Sequence, residues 1–120
     1  MKTYTDIEQS KKLAEILPPE SADMWYQHTG YSIVDGTEKP KYFPMVIRDW
    51  KSDDDIPCWS LTALLYATNA KLLNLHWNGN NSWSVTCCFD KVDGYLEETA
   101  NNPLDAVFKM ICWLKENDKI

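Results

Sequence analysis

The order of apolar and polar positions divides the chain into helix, short strands, helix, hairpin and helix. The strongest pattern is residues 101–118, NNPLDAVFKMICWLKEND. Leu104, Val107, Ile111 and Leu114 recur at helical spacing, and Ala106, Phe108, Met110 and Trp113 widen that stripe around most of the circumference. Asn102 suits the N-cap and Pro103 the first helical position. Asp105 sits in the first turn, where negative charge meets the positive end of the helix dipole. The polar line is Asp105, Lys109 and Glu116. A helix over 102–117 this apolar is expected to be covered on two sides, by its own core and by a second layer, a partner or a twin subunit. Phe108 and Trp113 are expected to be largely buried, either within the chain or in a symmetric dimer.

At the other end, Thr5-Asp6-Ile7-Glu8 reads as a capping box opening a helix over 5–17, which Pro18-Pro19 stops. Between Glu20 and Lys51 the pattern is extended. Trp25–Tyr26, Tyr31–Val34 and Tyr42–Ile47 are β-prone runs, broken by Gly30, Asp35-Gly36 and Pro40. Pro44 assigns the third run to an edge or irregular strand. Asp55-Ile56-Pro57-Cys58 then reads as the start of a helix over 57–69. Asp55 or Ile56 is its cap, Leu61, Leu64, Leu65 and Thr68 its buried face, and Asn69 its end.

The clearest hairpin spans 71–89. Leu73, Leu75 and Trp77 alternate with Leu72, Asn74 and His76; opposite them, Trp83, Val85, Cys87 and Phe89 alternate with Ser84, Thr86 and Cys88. A two-residue loop at Gly79-Asn80 pairs His76 with Trp83 and mixes the two faces. Pairing Trp77 with Trp83, Leu75 with Val85 and Leu73 with Cys87 keeps them apart, and requires a three- or four-residue loop. After a turn at Asp93-Gly94, Tyr95–Glu98 adds an edge strand. Segregated strands and helices imply an α+β fold, in a single domain over 1–120: a small antiparallel sheet with about three helices (5–17, 57–69, 102–117) packed mainly on one face.

Composition refines this picture. The hydrophobic share of 44% and charged share of 25% are ordinary, but six tryptophans and six tyrosines are a surplus that serves either a core or a binding surface. A net charge of −6 repels phosphates, so no nucleic-acid partner is expected. The acidic run Asp53-Asp54-Asp55, with Asp49 nearby, reads as a solvated loop, because consecutive side chains do not all point at one site. Met1-Lys2-Thr3 leads directly into a polar helix, and no segment approaches the ~20 apolar residues of a membrane span. The expectation is a cytoplasmic chain with no membrane association and with reduced cysteines. Cys58, Cys87, Cys88 and Cys112 form no CxxC pair, the glycines are isolated, and no metal or cofactor motif occurs; none is expected.

Two constellations carry candidate chemistry. Cys58-Trp59 at the expected helix start resembles the Cys-Trp pair of papain-like enzymes, with His76 as the base and Asn74 as its orienting group. Against a catalytic Cys58, Ile56 and Pro57 stand where those enzymes carry Gly and Ser, and only 18 residues separate Cys58 from His76. A packed structural cysteine is the preferred reading. Asn74, His76, Ser84 and Thr86 share one hairpin face and form a candidate binding patch; the alternative is a sheet face that meets water.

Three blocks, EQSKKLAEILPPESADMWY (8–26), DIPCWSLTALL (55–65) and TANNPLDAVFKMICWL (99–114), resemble a family of hypothetical proteins encoded in gut-bacterial genomes and in their prophages and mobile elements. The resemblance implies a small intracellular accessory protein of a mobile element, and brings no activity, cofactor or catalytic residue with it. The functional expectation is therefore a non-enzymatic interaction protein that binds another protein or itself through apolar and aromatic surface. Its rivals are an acidic inhibitor or DNA mimic of a host nucleic-acid enzyme, and a small thiol enzyme using Cys58.

Overall fold

The structure is a computed structural model, and it describes residues 2–46, 55–68, 72–88 and 95–117. Its elements are α1 (Ile7–Ala14), β1 (Met24–Val34), β2 (Thr37–Val46), β3 (Ile56–Cys58), α2 (Leu61–Ala67), β4 (Leu72–Gly79), β5 (Ser82–Cys88), β6 (Tyr95–Ala100) and α3 (Pro103–Glu116). The strands form two three-stranded antiparallel sheets, ordered β2-β1-β3 and β4-β5-β6. The α+β class stands, with two small sheets where the sequence implied one.

The first helix starts one residue later than its sequence suggests. Asp6 is the N-cap: its carboxylate accepts from Gln9 N at 2.8 Å, and Gln9 Oε1 accepts from Asp6 N at 3.1 Å. Both Thr5 and Asp6 have an acceptor for this task, and a Glu or Gln three residues on. Thr5 is drawn inside instead, where its hydroxyl meets the Trp59 backbone. The expected second helix is corrected more strongly. Residues 56–58 are a strand, because Met24 pairs with Cys58 and Tyr26 with Ile56. The cap is Ser60, whose hydroxyl accepts from Ala63 N at 3.2 Å and donates to Asp23. Asp55, expected to cap, accepts from His28 N at 3.0 Å. Asn69, the acidic residues Asp49, Asp53 and Asp54, and the turn Asp93-Gly94 lie outside the described residues.

The separate β-prone runs between 24 and 46 are two long strands. Gly30 does not break β1, since its φ of +133° fits a bulge that leaves Thr29 unpaired and shifts the register between His28 and Gly30. Asp35 and Gly36 both have positive φ (52° and 75°), the condition for a two-residue turn matched to strand twist. Pro40 and Pro44 lie in β2, which is an edge strand as Pro44 required.

In the second sheet the register is the expected one: Trp77 opposite Trp83, Leu75 opposite Val85, Leu73 opposite Cys87. The loop differs. Gly79 pairs with Ser82 across a two-residue turn at Asn80-Asn81 (φ 51° and 58°), and a bulge at Asn78 takes up the extra residue.

The core gathers around α3. Asn102 caps it by accepting from Asp105 N at 2.8 Å. Leu104, Ala106, Val107, Met110, Ile111 and Leu114 have no exposed surface, and they cluster with Val85 of β5, Leu64 of α2, Trp59 and Leu13 of α1. The helix is therefore covered on more than one side from within the chain, by the second sheet and by α2 and α1. Phe108 and Trp113 are partly buried within the single chain, at the margin of this cluster, so the chain's own core does not supply the full burial expected of them. Trp77, which alternation sets on the same face as Leu75, is 64% exposed near the turn end of β4.

Candidate functional site

Cys58 lies at the end of β3, two residues before the Ser60 cap of α2, and not at a helix start as the sequence suggested. It is fully buried, and its thiol lies 3.4 Å from the Thr5 carbonyl oxygen and 3.6 Å from the Thr5 hydroxyl. Burial pushes its pKa up, more than the Thr5 and Ser10 hydroxyls nearby bring it down. The thiolate that nucleophilic chemistry needs is thus disfavoured. His76 is an exposed residue of β4, in the other sheet.

Around Cys58 runs a buried polar cluster that sequence pattern did not reveal. The Thr5 hydroxyl lies 2.8 Å from Ser10 Oγ and accepts from Trp59 N at 3.1 Å; Thr5 N donates to Trp59 O at 2.9 Å. The Tyr26 hydroxyl donates to the Thr5 carbonyl at 2.7 Å, and burial raises its pKa. Thr5 thereby ties the chain start to α1, β1 and the segment before α2. This arrangement joins elements of the fold through the hydrogen bonds of one residue.

The four residues of the candidate binding patch do share a face of the β4–β5 ladder, His76 opposite Ser84 and Asn74 opposite Thr86. Their environments differ. Asn74 and His76 are exposed and Thr86 half-buried, while Ser84 is almost fully buried, with Asn78 donating to its hydroxyl and Thr99 Oγ1 at 3.4 Å. Ser84 is occupied within the fold, which leaves Asn74 and His76 as the open polar groups. Among the described residues, no three His, Cys, Asp or Glu side chains converge as metal ligands do. No helix there is long and apolar enough to cross a membrane.

A surface network joins the chain start to α3. Lys2 Nζ lies 3.0 Å from both Asp6 and Asp105, and Gln9 donates to Asp105 at 2.7 Å. Desolvation raises the Asp105 pKa, but the hydrogen bonds from Gln9, Lys2 and Asn102 outweigh it and hold the carboxyl below its ordinary range. The depressions beside this network, one along Lys2, Tyr4 and Tyr26 and another along Asp105, Phe108 and Lys109, are open to solvent.

The outer half of the β1–β2 hairpin is a surface that these contacts leave unexplained. Beyond Tyr26, the described residues supply β1 with no strand partner except β2. The hairpin projects as an arm, and the chain measures 52 × 32 × 24 Å with a radius of gyration of 16.0 Å; a compact domain of this length has about 14 Å. Along the arm Tyr31 (60%), Ile33 (78%), Phe43 (61%) and Met45 (45%) are exposed. His28 packs edge-on against Tyr31 and Tyr42, at centroid distances of 5.0 and 5.6 Å. On α2, Tyr66 is also exposed. The arm was legible only in part: its β-prone runs were visible, but nothing in their alternation said that both faces meet water.

Comparison of the chain with family models, with curated proteins and with solved structures finds no match.

Proposed function

We propose that this chain is a small non-enzymatic interaction protein, and that the β1–β2 arm is the part that binds. The observation that carries the reading is the exposure of Tyr31, Ile33 and Phe43 on a stretch of ribbon where, among the described residues, only β1 and β2 pair. A two-stranded ribbon is marginal in water on its own, and aromatic or branched side chains gain most from being covered. The expected role for the over-apolar last helix moves with this: α3 spends its apolar surface on the chain's own core, and the surplus that seeks a partner sits on the arm. The buried, poorly ionised Cys58 supports a structural cysteine over a thiol enzyme. The resemblance of three sequence blocks to mobile-element proteins favours a cytoplasmic accessory role in a bacterial cell.

The test is association with and without the arm's apolar side chains. Light scattering on the purified chain, and capture from a bacterial lysate on immobilised chain, are compared between wild type and a Tyr31→Ser/Phe43→Ser variant. Arm-dependent association in either assay supports the reading. Association that ignores the two substitutions, or no association at all, refutes it.

A further inference from the structure

We infer that the partner of the arm is a second copy of this chain, joined β1 to β1 in antiparallel register about Ser32. The inference rests on the arm being the binding element, and it names the occupant.

The two edges of the arm are unlike. On β2, Pro44 pairs with Tyr26 and Pro40 with Tyr31. Tyr26 and His28 direct their backbone groups away from β2, since Tyr26 pairs with Ile56 of β3 and His28 N donates to Asp55. The even-numbered positions of β2 therefore face outward, and two of those outward donors are missing because proline has no N–H. Glu38, Lys39 and Lys41 add charge to the same strand. These are the devices that protect an edge from pairing. The β1 edge lacks both: residues 27–34, QHTGYSIV, contain no charge and no proline, and the bulge at Thr29 lies before the Tyr31–Ile33 stretch.

The register also says which β1 groups are on offer. The bulge at Thr29 places Tyr31 opposite Pro40 and Ile33 opposite Glu38, so the N–H and C=O groups of Tyr31 and Ile33 point away from β2. Two such positions, two residues apart, are self-complementary. In a two-fold antiparallel pairing Tyr31 meets Ile33 of the second copy and Ile33 meets its Tyr31, which supplies four backbone hydrogen bonds. Aromatic and β-branched side chains then sit side by side on one face, a favourable cross-strand pair. Ser32 faces its own symmetry mate at the centre, as an isologous contact requires. Charge permits this. Although the chain carries −6, the arm's Asp35 and Glu38 are balanced by Lys39 and Lys41, so the two arms meet without net repulsion. The product is a four-stranded ribbon, past the limit at which two strands alone are marginal.

The experiment is light scattering on the full chain, paired with a cross-link. Wild type is expected at twice the 13.9 kDa of one chain, Ile33→Lys at the mass of one chain with an unchanged circular dichroism spectrum, and Glu38→Gln on the protected edge at the wild-type mass. Ser32→Cys, treated with oxidised glutathione, is expected to give a dimer that reductant reverses, because a non-hydrogen-bonded antiparallel pair holds Cα atoms about 4.5 Å apart, within disulfide reach. Wild type under the same oxidant must not give it, which separates the introduced thiol from the native cysteines. A monomeric wild type, or a dimer indifferent to Ile33→Lys and uncrosslinked by Ser32→Cys, overturns the inference. If the wild type is monomeric but its capture of another protein depends on Tyr31 and Phe43, the inference falls and the binding role of the arm stands. If neither dimer nor arm-dependent capture occurs, both fall.

Discussion

Replacing Thr5 by valine removes one hydroxyl and little else, because the two side chains have nearly the same shape. In the folded chain that hydroxyl is fully buried, accepts from Trp59 N at 3.1 Å and shares a hydrogen bond with Ser10 at 2.8 Å. Valine leaves the Trp59 N–H without its acceptor in a place water does not reach, at a cost of about 1–3 kcal/mol, and the lost Ser10 bond adds about 1 kcal/mol. The sum is about 2–4 kcal/mol. Thr5→Ser keeps the hydroxyl and loses a methyl group, which costs about 1 kcal/mol. Hydrophobic burial alone ranks the two variants the other way, with valine the better core residue. Urea unfolding followed by tryptophan fluorescence measures both, provided the m-value is unchanged. A Thr5→Val protein as stable as wild type, or more stable than Thr5→Ser, refutes the assignment of Thr5 as the acceptor that ties the chain start to Trp59.

Other outcomes follow from the same geometry. Asn102→Ala removes the cap of α3 and should lower stability by about 1 kcal/mol in thermal or urea unfolding. Phe108→Ala should cost about 2 kcal/mol, below the ~3–5 of a fully buried phenylalanine, because the ring is only partly covered; a loss in the upper range would place it inside the core. The Asp6 and Asp105 carboxyls are held below their ordinary pKa, so their contribution is complete above the unfolded-state value near 3.8 and is lost as pH falls through the lower folded value. Lys2→Met should therefore lower stability at neutral pH, and the two stability curves should converge in acid; parallel curves contradict the pairing. Cys58 in the native chain should resist a neutral-pH thiol reagent until denaturant is added, since burial both covers the thiol and raises its pKa.

Local pattern carried the parts of this fold that local physics decides. The β4–β5 register followed from alternation alone, since any one-residue slip moves Val85 from the apolar core cluster to the polar face that carries Asn74, His76, Ser84 and Thr86. The cap of α3 and its buried stripe followed from Asn102, Pro103 and the spacing of Leu104, Val107, Ile111 and Leu114. What failed was competition between equally good local choices. Thr5 and Asp6 both cap well, and the decision came from Trp59, far along the chain. Asp55 and Ser60 both suit a helix start, and the strand pairing of Cys58 with Met24 chose Ser60. The number of sheets was likewise invisible, because strand pairing beyond hairpins is non-local. Of the candidate site residues, Asn74, His76, Ser84 and Thr86 were placed on one face correctly, yet the burial of Ser84 depended on Thr99 and Asn78. The arm escaped notice because exposure of Tyr31 and Ile33 is a property of what does not cover them.

The most direct measurement of the central claim is amide hydrogen exchange at Tyr31 and Ile33, followed residue by residue at high and at low protein concentration. Both N–H groups point away from β2. In a free arm they meet water and exchange quickly. If the arm binds a second copy, both amides become protected at high concentration and lose that protection together on dilution, while Ser32, bonded within the hairpin, changes less. Rapid exchange at Tyr31 and Ile33 at every concentration would contradict the account.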